Sequence, residues 1–389
     1  MRIAFLSWES LHSIKVGGLA VHTSELAKAL YERGHEVHVF TRMGHGQPHY
    51  ERIDGVHYHR CPFDLNPNFI QEMNNMSNSF AWHLEQTENY IGPFDIVHGH
   101  DWHVVNGLAR IKDGRGRKIV WTIHSTEYGR CGNKFAGGMS EHIRNIEFYG
   151  TYIANKVITC SHAMKNETMW LYRVPEHKIA VVGNGIDVKK YEGYLDPGRV
   201  KERFGVGPVD PTILYVGRMA YQKGPDILIE AMPRILHENN QARAILVGDG
   251  HMRMHLESRA RQLGVSHAVR FTGYVDDRDV LDLYKACEFV CVPSRNEPFG
   301  MVVLEAWASA KPVVVTHGGG PGEMVTHEVN GLKVYPNPDS IAWGARQMFS
   351  DIDRANWMGL NGRESAEKEH SWARKAREIE GVYEEVLSL

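Results

Sequence analysis

The 389-residue sequence contains few cysteines, and nothing in their spacing pairs them. The five are scattered, without a CxxC motif, at Cys61, Cys131, Cys160, Cys287 and Cys291. This pattern excludes a disulfide-stapled miniature fold and favours a reduced, cytoplasmic setting. A chain of this length with 42% hydrophobic residues has enough apolar material for two packed domains.

An excess of charge of one sign is also missing. Lysine and arginine total 44, and aspartate and glutamate total 47, which gives a formal net charge of −3. No global field therefore exists to hold nucleic acid or an anionic membrane, and we expect no nucleic-acid partner. Any site for an anion has to be built locally.

Long hydrophobic runs are absent as well. No stretch approaches the roughly 18 apolar residues that span a bilayer, so we expect no transmembrane segment. Residues 1–7 form a short apolar stretch without the long apolar core of a signal peptide, and they predict a first strand. Peripheral association with a membrane stays open.

What the sequence does contain is an alternation of short apolar strands with helical patterns. A first series has strand candidates at residues 3–6, 37–40, 56–58, 95–98, 118–123, 157–159 and 179–182. After a polar stretch at 191–211, a second series has candidates at 213–216, 244–247, 269–272, 289–292, 313–316 and 332–334. This alternation predicts parallel sheets with helices on both faces.

The restart of the pattern predicts two doubly wound α/β domains that face each other across a cleft. We expect an N-terminal domain over 1–190, a C-terminal domain over 191–365, and a helical segment over 366–389 that packs back on the first domain. Open α/β sheets bind ligands beyond the carboxyl ends of their strands. The loops that follow the strands are therefore the candidates for a site.

In the second series, two cations flank one loop. Arg218 follows the first strand, and Lys223 stands just before Pro225, which suits the first turn of a helix. An arginine grips phosphate oxygens with two nitrogen atoms and a lysine acts as a point charge, so the pair suits a diphosphate. Two solvated surface charges are the simpler alternative.

A second loop combines carboxylates with free backbone amides. The residues concerned precede or belong to a helix predicted over 302–310: Glu297, Phe299, Gly300, Met301 and Glu305. Helical side chains lean toward the N-terminus of their helix, so both carboxylates can reach the open side of the loop at the start of this helix. Carboxylates suit sugar or ribose hydroxyls, and the amides suit phosphate oxygens.

A third loop, at 317–323, has glycine at four of five consecutive positions. A phosphate or sugar that approaches the backbone closely would explain them. A flexible surface loop is the alternative.

The first series offers a glycine loop of its own. Lys15, Gly17 and Gly18 lie between the first strand and its helix, where glycines admit a ligand and a helix N-terminus favours negative charge. The spacing is neither GxGxxG nor a P-loop. A purely structural turn is an equally good interpretation.

Polar side chains also follow three later strands of this series: Asp101, His124 and Asn184. Asp101 lies in the run HGHDWH at 98–103, which nearly matches the HxHxDH run of metallo-β-lactamase-like hydrolases. Its aspartate stands one place early, and no later cluster completes a binuclear site. We therefore expect no metal here and interpret the run as a substrate-contacting loop.

Together these residues resemble the retaining glycosyltransferases of the GT-B fold, specifically family 4, and are similar to the glycogen and starch synthases. The resemblance covers nearly the whole chain. Its most specific element is E-x7-E, from Glu297 to Glu305. The pair Arg218 and Lys223 and the glycine-rich loop before Glu323 also stand at their expected places.

This resemblance implies two Rossmann-like domains, the C-terminal one binding a nucleoside-diphosphate sugar and the N-terminal one the acceptor. It assigns Arg218 and Lys223 to the diphosphate. It assigns Glu305 to the ribose and Glu297 to the transferring sugar. The remaining matches line the donor site or the reaction centre of synthases: His124, Asp101, Asn184, Lys15, Gly17, Gly18, Phe299, Gly300 and Met301.

Departures leave the substrate open. Val21 and His22 stand where synthases carry an acidic residue, and loop 319–323 is typical of family 4 at large. We expect transfer of a hexosyl group, best a glucosyl group from UDP- or ADP-glucose, to an oligo- or polysaccharide. The alternatives are mannosyl or glucosyl transfer to a lipid-linked or cell-envelope acceptor, and a nucleotide-sugar epimerase. No cofactor or metal is expected, because the cations can stabilise the leaving diphosphate.

Overall fold

The structure, a computed structural model, describes residues 1–389, and the chain divides into two units. Unit 1 comprises Met1–Gly185 and Trp372–Leu389, and unit 2 comprises Ile186–Ser371. These bounds differ by a few residues from those expected. The later one falls beyond residue 365 because a single helix runs from Ile352 to Glu369.

Unit 1 is built on one eight-stranded sheet. Its strands are β1 (Arg2–Leu6), β2 (Glu36–Arg42), β3 (Tyr50–Ile53), β4 (Val56–Cys61), β5 (Ile96–His100), β6 (Lys118–Ile123), β7 (Lys156–Thr159) and β8 (Ile179–Val181). Its helices are α1 (Gly18–Glu32), α2 (Phe69–Ile91), α3 (Val105–Arg115), α4 (Glu127–Arg130), α5 (Met139–Ile153), α6 (His162–Tyr172) and, from the end of the chain, α15 (Trp372–Leu387). The strand order is β3-β4-β2-β1-β5-β6-β7-β8.

One strand of this sheet was not predicted. β3 pairs antiparallel with β4, whereas the other neighbours in the sheet run parallel. Its residues are polar and mostly exposed, so no apolar run marks it. The available signal was Asp54-Gly55, whose φ angles of 49° and 85° form the two-residue turn that Asp-Gly favours in hairpins.

The last helix, α15, belongs to unit 1. Its residues Ala376, Ile379 and Tyr383 recur at helical spacing and are buried in one cluster with Leu26 and Leu30 of α1. The amphipathic pattern at the end of the sequence therefore serves to cover the first sheet.

Unit 2 has a second, wholly parallel sheet of six strands. They are β9 (Thr212–Val216), β10 (Arg243–Val247), β11 (Val269–Gly273), β12 (Phe289–Val292), β13 (Val313–Thr316) and β14 (Leu332–Val334), in the order β11-β10-β9-β12-β13-β14. The helices are α7 (Pro197–Arg203), α8 (Pro225–Glu238), α9 (Arg253–Gln262), α10 (Asp277–Ala286), α11 (Met301–Ala308), α12 (Gly319–Met324), α13 (Pro338–Ser350) and α14 (Ile352–Glu369). No helix in the chain is both long and apolar enough to cross a membrane.

Both sheets reverse their strand order beside the first strand of the unit. β1 lies between β2 and β5, and β9 lies between β10 and β12. Ligands of doubly wound sheets bind beyond the strand ends at such a point. The predicted site loops follow β1, β5, β6 and β8 in unit 1, and β9, β12 and β13 in unit 2.

Candidate active site

The first site loop of unit 2 runs from β9 to α8 and carries both predicted cations. Arg218 is exposed, and its guanidinium donates to Oε1 of Gln222 over 3.3 Å. Beside Lys223, Gly224 has a φ of +66° and packs so closely that a Cβ would lie 2.1 Å from the carbonyl oxygen of Pro293. Tight backbone packing therefore fixes the position from which Lys223 extends.

Lys223 and Glu297 form an ion pair. Nζ of Lys223 donates to Oε2 of Glu297 over 2.6 Å, and the side chains are only 22% and 12% exposed. The Ser294 hydroxyl donates to the same carboxylate oxygen over 3.4 Å. The pair joins the loops after β9 and β12, so a cation suited to phosphate and a carboxylate suited to a hydroxyl stand together.

A second ion pair between these loops was not foreseen. The guanidinium of Arg295 binds both carboxylate oxygens of Asp226, at 2.8 and 2.5 Å, and lies 3.9 Å over the ring of Tyr221. Its hydrogen bonds to Asp226 raise the pKa of Arg295 further. Asp226 and Arg295 are 69 positions apart, so no sequence motif identifies them as a pair.

The third loop packs on the second through its glycines. Gly319 has a φ of +67°, and a Cβ there would lie 2.3 Å from the carbonyl oxygen of Glu297. A Cβ on Gly320 would lie 2.4 Å from the carbonyl oxygen of Phe299. The protein's own backbone is thus what approaches these glycines, and neither a ligand nor loop flexibility is needed to explain them.

The turn into α11 differs slightly from the prediction. Gly300, with a φ of +98°, caps the helix, which begins at Met301 and ends at Ala308 rather than spanning 302–310. Phe299 is buried and Met301 half-buried. The aromatic side chain therefore supports the turn from inside, and the backbone after it is what the turn presents.

Glu305 lies one turn inside α11, as predicted, and is half-buried. Its Oε2 accepts a hydrogen bond of 2.6 Å from the hydroxyl of Tyr284 on α10. Burial, and then the Glu305 charge, raise the pKa of Tyr284 well above its usual value, which keeps the hydroxyl protonated as a donor. No motif in the sequence identifies Tyr284 as the partner of Glu305.

In unit 1, Asp101 and His124 meet at the ends of β5 and β6. Oδ1 of Asp101 accepts the backbone N–H of His124 over 2.8 Å. Asp101 has a φ of +59°, which is uncommon outside glycine and is found most often where function requires it. Burial raises the pKa of Asp101 to about 6, although the Arg130 charge and the backbone amides oppose this rise.

The structure adds His22 and His100 to this group. Nδ1 of His100 lies 3.2 Å from Nε2 of His124, and Nδ1 of His22 lies 2.8 Å from Oδ1 of Asn184. The rings of His22 and His124 are 4.5 Å apart. Burial lowers the pKa of His124 to about 3 and holds those of His22 and His100 well below their usual value, so all three are neutral near pH 7.

The three histidines of the HGHDWH run do not come together as the ligands of one metal ion. Both ring nitrogens of His98 are hydrogen-bonded to hydroxyl groups, those of Tyr383 and Thr122, each at 2.7 Å. His103 stacks on two tryptophan rings, each 4.2 Å away. Of the three histidines in the run, only His100 joins the group around His124.

The predicted loop of Lys15, Gly17 and Gly18 is exposed and connects β1 to α1. It is anchored by Glu9, which is 3% exposed and whose Oε2 accepts the backbone N–H groups of Val16 and Gly17 over 2.5 and 2.7 Å. Burial raises the pKa of Glu9, and the two amides partly oppose this. A glutamate three residues beyond an apolar strand was the signal available in the sequence.

Comparison with known families agrees with the fold. Residues 16–190 match the family Glycosyltransferase Family 4, and residues 199–365 match the family Glycosyl transferases group 1. The first match lies in unit 1 apart from its last five residues, and the second lies wholly in unit 2.

Individual relatives cover the full chain. An uncharacterized glycosyltransferase of Methanocaldococcus jannaschii is 38% identical over 100% of this chain and 99% of its own. A glycogen synthase of Mycobacterium tuberculosis is 29% identical over 98% of this chain and 94% of its own. The solved structure of a sucrose-phosphate synthase from Thermosynechococcus elongatus superposes with a TM-score of 0.82 at 22% identity, covering 100% of this chain and 99% of that one.

These matches favour a glycosyltransferase over the epimerase and metallohydrolase alternatives. They also confirm the predicted GT-B architecture of two parallel-sheet, Rossmann-like domains. The chain belongs to the GT-B glycosyltransferases of group 1 and family 4, is similar to the glycogen and starch synthases, and is a hexosyltransferase.

Proposed function

We propose that the chain is a retaining glucosyltransferase that transfers glucose from UDP-glucose or ADP-glucose to an α-glucan. The observation that carries this proposal is the ion pair of Lys223 and Glu297, with Arg218 on the same loop, at the switch point of unit 2. It joins a group suited to the diphosphate with a group suited to the sugar. The full-length similarity to a glycogen synthase supports glucose and a glucan as substrates.

The chemistry follows from how charge develops. As the bond from the anomeric carbon to the phosphate oxygen breaks, negative charge grows on the diphosphate, and Arg218 and Lys223 stabilise it. The acceptor hydroxyl forms the new bond on the same face, and its proton passes to the departing phosphate oxygen. This route needs neither an enzymic nucleophile nor a metal, and it retains the anomeric configuration. Glu305 holds the ribose in this scheme.

Unit 1 carries further groups suited to a sugar. Neutral His124 offers a hydrogen bond without competing for the proton in transit, and Asp101 places it through the 2.8 Å bond to its backbone N–H. Asn184 and the loop of Lys15, Gly17 and Gly18 are the other groups of this unit that we assign to the donor. The free thiols of all five cysteines support a cytoplasmic location.

A lipid-linked or cell-envelope acceptor, with a mannosyl or glucosyl donor, is the second candidate. Phe135 is 62% exposed and lies 5.1 Å from the ring of Tyr128 and 5.9 Å from that of Trp170, itself 59% exposed. An exposed aromatic patch marks an interaction surface, and a lipid suits it as well as a sugar ring does.

The test is a panel of UDP-, ADP- and GDP-sugars, each with glycogen, maltooligosaccharides or a lipid extract, scored for nucleotide release and glycosylated product. Consumption of UDP- or ADP-glucose only with an α-glucan, giving an α-linked product, is the expected result. Turnover only with GDP-mannose or with lipid would favour the second candidate. Absence of turnover with every pair would overturn the substrate assignment.

A further inference from the structure

Three histidines of unit 1 form a cluster with the spacing of a metal site. His22, His100 and His124 each offer a ring nitrogen, and these atoms lie within 4.8 Å of one another. The 3.2 Å between Nδ1 of His100 and Nε2 of His124 is close to the edge of a tetrahedron around zinc, about 3.3 Å for Zn–N bonds of about 2.0–2.1 Å. We refer to these residues as the histidine triad.

The hydrogen bond from His22 to Asn184 prepares one ligand. The side-chain oxygen of Asn184 only accepts, so Nδ1 of His22 carries the proton and its Nε2 carries a lone pair. This Nε2 of His22 is buried without a hydrogen-bond partner, so its lone pair is available to an ion. An outer partner that fixes the tautomer of an imidazole is the usual companion of a metal-bound histidine.

The triad is also in the protonation state that metals require. Burial keeps the three imidazoles neutral near pH 7, so an ion displaces no net proton from them. Asp101, bonded to the backbone of His124, supplies a carboxylate beside the cluster. His124 is only half-buried and gives the ion a route from solvent.

We propose that the histidine triad binds one divalent ion of the borderline class that imidazoles prefer, represented by Zn²⁺, and that this ion inhibits the transferase. Three protein nitrogens leave a fourth position for water, as in open zinc sites. The bound ion takes up the ring nitrogen lone pair of His124, the residue that would otherwise contact the sugar. The inhibitory part of this inference rests on the proposed function, whereas the binding part does not.

Binding is tested on the metal-free, full-length chain by titration with Co²⁺, whose tetrahedral complexes absorb visible light, followed by displacement with Zn²⁺. One equivalent with a tetrahedral spectrum is expected. His22→Gln and His100→Gln should each weaken binding at least about 100-fold, because even outer partners of zinc ligands are worth about 10- to 100-fold. His103→Gln is the matched control, since it removes a half-buried histidine of the HGHDWH run that lies outside the triad.

Thermal unfolding of each variant checks that the fold is kept. His22→Gln lies on helix α1 rather than in the sheet, so it is the variant expected to disturb the fold less. A spectrum unchanged in folded His22→Gln, or lost equally in His103→Gln, would overturn the site. So would the absence of any tetrahedral Co²⁺ spectrum.

Inhibition is tested separately, with the transferase assay run in chelator and then at rising free Zn²⁺. We expect inhibition of the parent chain and at least about a 10-fold higher inhibitory concentration in His22→Gln, which keeps His124. Equal inhibition of both chains would refute the mechanism. If the chain proves to lack transferase activity, the proposed function fails, while the Co²⁺ titration still decides the metal site.

Discussion

The two units arrange their candidate site residues in different ways. In unit 2, the loops that follow three neighbouring strands of the sheet, β9, β12 and β13, pack backbone against backbone, and ion pairs such as Lys223 with Glu297 join them. In unit 1, single buried side chains converge from distant segments, as Asp101, His124 and Asn184 do. The first construction leaves compact motifs in the sequence. The second leaves isolated polar residues whose meaning depends on the fold.

The largest expected effect is a loss of turnover when either of the two site cations of unit 2 is removed. Arg218→Ala and Lys223→Ala should each lower kcat about 10²- to 10³-fold, the usual cost of removing one preorganised donor to a developing negative charge. Arg218→Ala should hardly shift the unfolding midpoint, because Arg218 is exposed, whereas Lys223→Ala should lower it modestly, because the Glu297 carboxylate loses its cation. Steady-state kinetics and thermal unfolding measure both.

The control for this pair is Arg278→Ala, which removes an exposed cation of α10 in the same unit. It should leave turnover unchanged. Near-normal turnover in both Arg218→Ala and Lys223→Ala would contradict the assignment of the diphosphate to this loop.

The next effect tests the glycine packing. Gly319→Ala places a Cβ 2.3 Å from the carbonyl oxygen of Glu297 in left-handed backbone, so we expect a loss of about 1–3 kcal/mol in stability and a raised KM for the donor. Gly318→Ala is the neighbouring control, because its added Cβ meets nothing within 4 Å. Equal stability of the two variants would show that the loop accommodates the clash.

These contrasts explain what the sequence could and could not reveal. Apolar periodicity sufficed for every strand except β3, whose polar residues carry no such period. The cations and glutamates of unit 2 were predicted because loops after adjacent strands keep their motifs contiguous. Contacts such as Arg295 with Asp226, or Tyr284 with Glu305, were not, since tertiary packing alone brings those partners together.

The same argument applies more strongly in unit 1. His22 drew notice only as a departure from the synthases, although its ring lies 4.5 Å from that of His124. Helix α1 and strand β6 meet there only once the sheet has formed. The HGHDWH run shows the converse, because its histidines are close in sequence but have different surroundings. Both ring nitrogens of His98 are hydrogen-bonded to hydroxyl groups, and His103 lies beyond β5 and stacks on two tryptophan rings.

The pH dependence of stability tests how the buried carboxyl group of Asp101 is held in unit 1. The pKa of Asp101 is raised to about 6, so the folded chain holds that proton more tightly than the unfolded chain does. Ionising Asp101 therefore destabilises the fold as pH rises from about 4 to about 6. The stability of Asp101→Asn relative to the parent should increase across that window and then level off.

Urea unfolding at a series of pH values measures this difference. Asp113→Asn, an exposed aspartate of the same unit, is the control and should show no such trend. A difference that stays flat from pH 4 to 7 would mean that the carboxyl of Asp101 is not held in its protonated form by burial.

The smallest expected effect concerns Glu9, which holds a site loop of unit 1 in place. In unit 2, glycine packing and ion pairs hold the site loops. Glu9→Gln keeps one acceptor oxygen and the shape of the side chain but removes the charge from two hydrogen bonds to the loop of Lys15. A loss of about 1 kcal/mol, typical of one hydrogen bond, corresponds to roughly a 5-fold rise in donor KM. The value of kcat should hardly change, because the proposed function assigns the leaving group to Arg218 and Lys223 of unit 2. Glu32→Gln, on the exposed end of α1, should leave both constants as they are. An unchanged KM in Glu9→Gln would show that the loop finds its place without a buried anchor, and unit 1 would then share the backbone-built construction of unit 2.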